Sequence, residues 1–118
     1  MYINGYVMSV PERNKSAFTQ FAELFATITR EHGAWEVYEN WECDVPHGTE
    51  TDFRKAVKAQ ADEKVVFAWV TWPDQETSQR AHATMWDDER WPDTDDHPVN
   101  TRYLIMGGFT PLVVHQRT

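Results

Sequence analysis

A single cysteine, Cys43, stands in the 118 residues, so no intramolecular disulfide can brace the fold and no paired-cysteine metal or redox signature can be written. Positive charge is also scarce. Eleven Lys and Arg against 19 Asp and Glu give a formal net charge of −8, which repels a phosphate backbone and an anionic lipid surface. Nucleic acid and membrane are therefore not expected partners. The opening Met1-Tyr2-Ile3-Asn4-Gly5 has neither a basic start nor a long apolar run, and no stretch approaches the ~20 apolar residues that cross a bilayer, so the expected compartment is the cytoplasm. Missing too are a Ser-His-Asp order and a nucleotide-binding glycine loop, since Gly107-Gly108 is followed by Phe109 and Thr110 and opens no helix. His32, His47, His82, His97 and His115 make no recognised metal spacing with one another or with a carboxylate. A lone histidine above an open sheet could ligate haem from one side, with His97 or His115 the places to look, but no cofactor is selected.

What is present in excess is aromatic surface. Six Trp, six Phe and four Tyr are more than a small two-layer domain conveniently hides, so an interface or a pocket should absorb the surplus. The clearest element is Lys64 to Trp72, an apolar and β-branched run preceded by Asp62-Glu63 and stopped by Pro73. Alternation puts Val65, Phe67, Trp69 and Thr71 on one side and Val66, Ala68, Val70 and Trp72 on the other, so both faces read as covered.

The chain divides around that strand. Tyr2 to Val10 alternates as a first strand; Asn14 is a candidate N-cap for a helix to His32; Phe18, Phe21, Ala22, Phe25 and Ile28 recur at spacings of three and four; and Gly33 supplies the stop. Ala34 to Cys43 reads as a second strand with Trp35, Val37, Glu39, Trp41 and Cys43 on one face. An excursion from Asp44 to Asp62 has room for a short helix or an extra strand near Phe53. Pro73-Asp74 opens a helix to about Asp88, an acidic loop spans 87–100, and Tyr103 to Val114 reads as a last strand with a bulge or close backbone approach at Gly107-Gly108. The order implies one α+β domain over residues 1–118, a ferredoxin-like split βαβ sandwich whose four-stranded antiparallel sheet carries helices on one face only. The uncovered aromatic face implies a homodimer packed sheet to sheet.

Asp44-Val45-Pro46 with Gly48, Thr51-Asp52-Phe53-Arg54 with Ala56-Val57-Lys58-Ala59, Val65-Val66-Phe67 with Trp69, and Gly107-Gly108-Phe109 resemble the YbaA-like family of uncharacterised bacterial proteins, a domain of unknown function, from Tyr2 to about Pro111. That family in turn resembles the dimeric α/β-barrel superfamily, which implies two sheets facing each other across a dimer and leaves the reaction open. Three positions depart from the family pattern: Cys43 for an acidic residue, Met106 for an aromatic, and Pro98-Val99-Asn100-Thr101-Arg102 for a longer Pro-Phe-Asp-Gly-Lys-Arg run.

Glu39 is the sharpest candidate for chemistry. A carboxylate inside an apolar stripe must be paired, hydrogen-bonded or neutral, so it is either an acid or base in a closed cavity or the partner of Arg54, Lys58 or Arg102. Asp44 and Asp52 read more simply as turn and cap residues, and Cys43 as a buried thiol. Trp41 and Trp69, with Phe67 and Tyr6, are expected to line a pocket between sheets or to form the dimer core. The expectation is a homodimer holding a small apolar or aromatic molecule, with Trp41 and Trp69 as walls and Arg54 or Arg102 orienting it. If it is turned over, Glu39 acts. The alternative is a non-enzymatic interaction or stress-related dimer, in the manner of superfamily relatives, whose aromatic face is wholly packed and whose acidic loop is left for a partner protein.

Overall fold

The structure is a computed structural model and describes residues 1–93 and 96–117. Four strands, β1 (Tyr2–Pro11), β2 (Glu36–Trp41), β3 (Glu63–Trp72) and β4 (Asn100–Phe109), form one antiparallel sheet in the order β2-β3-β1-β4. Three helices join them: α1 (Lys15–Glu31), α2 (Phe53–Ala56) and α3 (Gln75–Thr84), the last running on into a 3-10 turn at Met85–Asp87. The strand richest in β-branched and aromatic residues, β3, is central and pairs along its whole length with β1.

One face of the sheet packs on helices. Phe18, Ala22, Phe25 and Ile28 of α1 bury against Met8, Val10, Val66, Ala68, Val70 and Trp72, and Ala81 and Met85 close the far end. The buried indole N–H of Trp72 donates to Asn4 Oδ1 at 2.8 Å, and the Ser78 hydroxyl donates to the same oxygen at 2.8 Å, so β1, β3 and α3 are tied by one amide. Asp74 caps α3 by accepting from Thr77 N at 2.8 Å, and Asp52 caps α2 by accepting from Lys55 N at 2.6 Å. Gly33, at φ +110, takes the left-handed turn that ends α1.

The opposite face is covered only at its ends. Phe53 of α2 lies 5.7 Å from Phe67, and Tyr38 stacks on Trp69, but Tyr38, Phe67, Ile105 and Phe109 stay exposed. Among the described residues no helix is long and apolar enough to cross a membrane.

Several sequence expectations shift. The last strand begins at Asn100 and ends at Phe109, because Pro111 cannot continue the ladder, so Leu112, Val113 and Val114 lie outside it and exposed. The register irregularity falls between Val7 and Ser9 rather than at Gly107-Gly108, where the strand instead makes room for a ring: a Cβ on Gly108 would fall 1.7 Å from Tyr2 Oη. Asn14 stands at the N-cap position of α1 as expected but makes no side-chain capping bond; its amide instead donates to the Pro98 carbonyl at 3.2 Å. Cys43 is exposed because β2 stops two residues earlier. Thr94 and Asp95 of the acidic loop lie outside the described residues.

Candidate functional site

Four residues stand in one register line, and three of them, Met106, Tyr6 and Glu39, line the floor of a cavity. Met106 on β4 pairs with Tyr6 on β1, Tyr6 pairs with Ala68 on β3, and Ala68 pairs with Glu39 on β2. All four point to the helix side by strand alternation, and the small Ala68 between Tyr6 and Glu39 leaves the space that a larger side chain would fill. The roof comes from α1, where Phe18, Phe21 and Phe25 follow each other down one face. His82 and Trp86, one helical turn apart, close one end, and His97 with Val99 closes another. The cavity has a volume of about 230 Å³ and opens to the surface beside the exposed Trp86 and Met106.

The polar groups in this apolar box are few. The carboxyl oxygen Glu39 Oε2 is buried and has no hydrogen-bond partner. Burial raises its pKa to about 7. Tyr6 is pushed up to about 12, first by burial, then by the Glu39 charge and by Tyr2. His82 Nδ1 lies 2.8 Å from the Ser78 carbonyl oxygen, which can only accept, so Nδ1 donates there, and Nε2 lies 3.5 Å from the Tyr6 hydroxyl. His97 has its Nδ1 occupied by the Val99 N–H at 3.2 Å and its ring edge against Phe21 at 4.7 Å; burial lowers its pKa. Glu39 thus sits where a carboxyl group can exchange a proton near neutrality, with a phenol and an imidazole facing the same cavity.

Glu39 also borders a second space. A groove of about 350 Å³ between α1 and β2 is lined by Lys15, Phe18, Thr19, Glu23, Trp41 and Glu39. Lys15 does not pair with the carboxylate; its Nζ lies 5.3 Å from the centroid of the Trp41 ring.

The residues singled out from sequence do not converge on one site. Glu39 and Trp41 share the helix side, Trp41 packing 6.2 Å from Phe18, whereas Trp69 lies on the opposite face, its ring 4.9 Å from Tyr38. Register decides this, since Trp69 pairs with Tyr38 and not with Trp41. A cavity that touches Glu39 therefore lies within this chain, between the sheet and α1. Arg54 is engaged elsewhere: it donates to Glu42 at 2.8 Å, to the Glu63 carbonyl at 2.9 Å and to the Gln60 carbonyl at 2.7 Å, pinning α2 to the start of β3. Arg102 lies over the Tyr103 ring at 5.3 Å and Lys58 over the same ring at 5.0 Å. Among the described residues none of the three expected cations is an ion-pair partner of Glu39. The same residues show no group of three or more His, Cys, Asp or Glu side chains that could hold a metal ion. Sequence reasoning missed His82 and Trp86 as cavity residues; the signal was their spacing of four on a helix that also offers Ser78 as an anchor.

An α+β domain of this kind, one antiparallel sheet with a polar-tipped apolar cavity beneath its helices, is a scaffold with room for a small molecule. Residues 1–101 match the family model described as "Protein of unknown function (DUF1428)", and the chain belongs to that family. It is 37% identical over 113 residues to "Uncharacterized protein YbaA" of Escherichia coli (strain K12), covering 95% of this chain and 97% of the relative, and equally similar to the protein of that name from Shigella flexneri. Among solved structures, Rv0793 from Mycobacterium tuberculosis aligns with a TM-score of 0.42 at 12% identity, covering 98% of this chain and 100% of that one.

Proposed function

We propose that this protein is a homodimer that holds a small, largely apolar molecule in the cavity between its sheet and α1, with Glu39 as the group that exchanges a proton or hydrogen bond with it. The single observation that carries the reading is the buried, unpartnered Oε2 of Glu39, a residue that lines the aromatic cavity, since a buried polar atom without a partner is costly and a bound molecule would supply one. A cavity with apolar walls and a few converging polar groups is the usual form of a small-molecule site. Its lining residues Tyr6, Phe18, Phe21, Phe25 and Trp86 favour an aromatic body.

The strand order β2-β3-β1-β4 with α1 and α3 on one face fits a ferredoxin-like split βαβ sandwich. On the other face Tyr38, Phe67, Ile105 and Phe109 lie exposed around the half-buried Trp69, and a second copy packed sheet to sheet, as in a dimeric α/β barrel, would cover them. The exposed Leu112-Val113-Val114 segment adds apolar surface that the same partner would shield.

Methionine methyl groups offer a direct test. Met8 and Met106 line the cavity, whereas Met1 and Met85 do not. In protein labelled with 13C at the methionine methyls, titration with 2-phenylethanol should move the Met8 and Met106 signals and leave Met1 and Met85 in place. Unchanged Met8 and Met106 signals at millimolar concentration, with 2-phenylethanol and with the amine of the same shape, 2-phenylethylamine, alike, contradict the cavity reading.

A further inference from the structure

Resting on the reading of this cavity as a small-molecule site, the chemistry of its walls narrows the ligand. We propose that the molecule is an organic cation, a protonated amine on an aromatic-sized apolar body, whose ammonium group pairs with Glu39 Oε2 while the rings of α1 enclose the rest.

Three other titratable side chains line the cavity with Glu39. From β1 comes the phenol of Tyr6, from α3 the imidazole of His82, and from the segment before β4 the imidazole of His97; no Lys or Arg lines the cavity. On the groove side α1 offers Lys15, which is turned onto Trp41, and Glu23, which adds a second negative charge. Among the described residues no cation pairs with this carboxylate, and its Oε2 is buried without a hydrogen-bond partner. His82 does not supply one, because its Nδ1 proton is committed to the Ser78 carbonyl and its Nε2 faces the Tyr6 hydroxyl.

The walls suit a cation as well. Tyr6, Phe18, Phe21, Phe25 and Trp86 present five aromatic rings around the space, and ring faces attract ammonium groups. A carboxylate or phosphate ligand would meet the opposite: no donor cation, a buried acid and a chain of net charge −8. A neutral alcohol or ketone could enter, but it would leave the charge of an ionised Glu39 uncompensated, and a buried charge is tolerated best when paired. The cavity volume of about 230 Å³ limits the ligand to one ring and a short chain.

The test uses two molecules of matched shape, 2-phenylethylamine and 2-phenylethanol, each titrated against the intact protein with the Met8 and Met106 methyl signals as readout. At pH 8 the amine should bind at least tenfold more tightly than the alcohol. On going from pH 8 to pH 6 its affinity should fall about tenfold, because a group titrating near 7 passes from mostly ionised to mostly protonated over that interval. In Glu39→Gln the amine should lose its advantage over the alcohol, and its pH dependence should flatten; dependence that persists there would assign the effect to His82 or His97 and overturn the proposal. Should that variant fail to fold, His82→Gln and His97→Gln make the distinction: a pH dependence that persists in both leaves Glu39 as its source, and one that vanishes in either overturns the proposal. Equal binding of alcohol and amine at pH 8 overturns the cation and leaves the cavity reading standing. No movement of Met8 or Met106 with either molecule removes both.

Discussion

Trp69 lies flat against Tyr38, ring centroids 4.9 Å apart and planes within 24°, on the face of the sheet that the helices leave open. Phe67 meets the edge of Trp69 at 5.5 Å and Phe53 meets Phe67 at 5.7 Å, so the middle of this face is a continuous aromatic strip. If a second subunit covers the strip, Trp69→Glu places a charge at its centre and should convert the dimer to monomer or aggregate in sedimentation velocity. A variant that sediments as the wild type does would remove the strip from the interface.

The fold was largely legible in the residues because its periodicities are strong. The period of two in Lys64 to Trp72 and the three-four spacing of Phe18, Phe21, Ala22, Phe25 and Ile28 each specify one element, and Gly33 and Pro73 bound them. The site was less so. Glu39 stands out because a carboxylate interrupts an apolar stripe, but which residues join it depends on strand register, which no local pattern states. Trp69 and Trp41 look alike in sequence; pairing sends them to opposite faces. His82 and Tyr6 meet across 76 positions, a distance no spacing rule reaches.

The burial of Glu39 makes stability depend on pH in an unusual direction. Its folded pKa of about 7 lies above the ordinary value of 4.5, so between those values the folded chain holds a proton that the unfolded chain releases. Stability from this group is thus greatest below pH 4.5, declines as pH rises, and is lost once pH passes 7, a change of roughly 3 kcal/mol at most. Thermal melts should show Tm lower at pH 8 than at pH 5.5 by roughly 5–10 °C. Glu39→Gln, neutral at both, should lose this decline, melting no lower at pH 8 than at pH 5.5 because the lowered pKa of His97 acts the other way, and above the wild type at pH 8. A wild-type Tm that rises with pH across this window would contradict the assignment.

Asn4 is predicted to be the polar keystone of the core. Its Oδ1 accepts from both Trp72 Nε1 and Ser78 Oγ, so Asn4→Ala leaves a buried indole N–H without a partner. Unfolding in urea should show a loss of about 2 kcal/mol, the cost of stranding a buried donor. A loss under about 0.5 kcal/mol would mean that water or a shifted side chain takes its place.

Arg54, by its three bonds, is a structural residue. Arg54→Met should lower stability by about 2–3 kcal/mol, since it breaks a largely shielded pair with Glu42 and frees two carbonyls. The affinity for 2-phenylethanol should not change. Intact stability with lost binding would reverse the roles and return Arg54 to the site.

The account turns on one carboxyl group held in an aromatic cavity without a cation beside it. Carbon-13 NMR of protein labelled at the glutamate side-chain carboxyls, with Glu39 assigned by its absence in Glu39→Gln, reads its titration directly. A midpoint near 7 is predicted; a midpoint near 4.5, the value of an ordinary exposed glutamate, would place Glu39 in water and contradict both the cavity and the ligand argued from it.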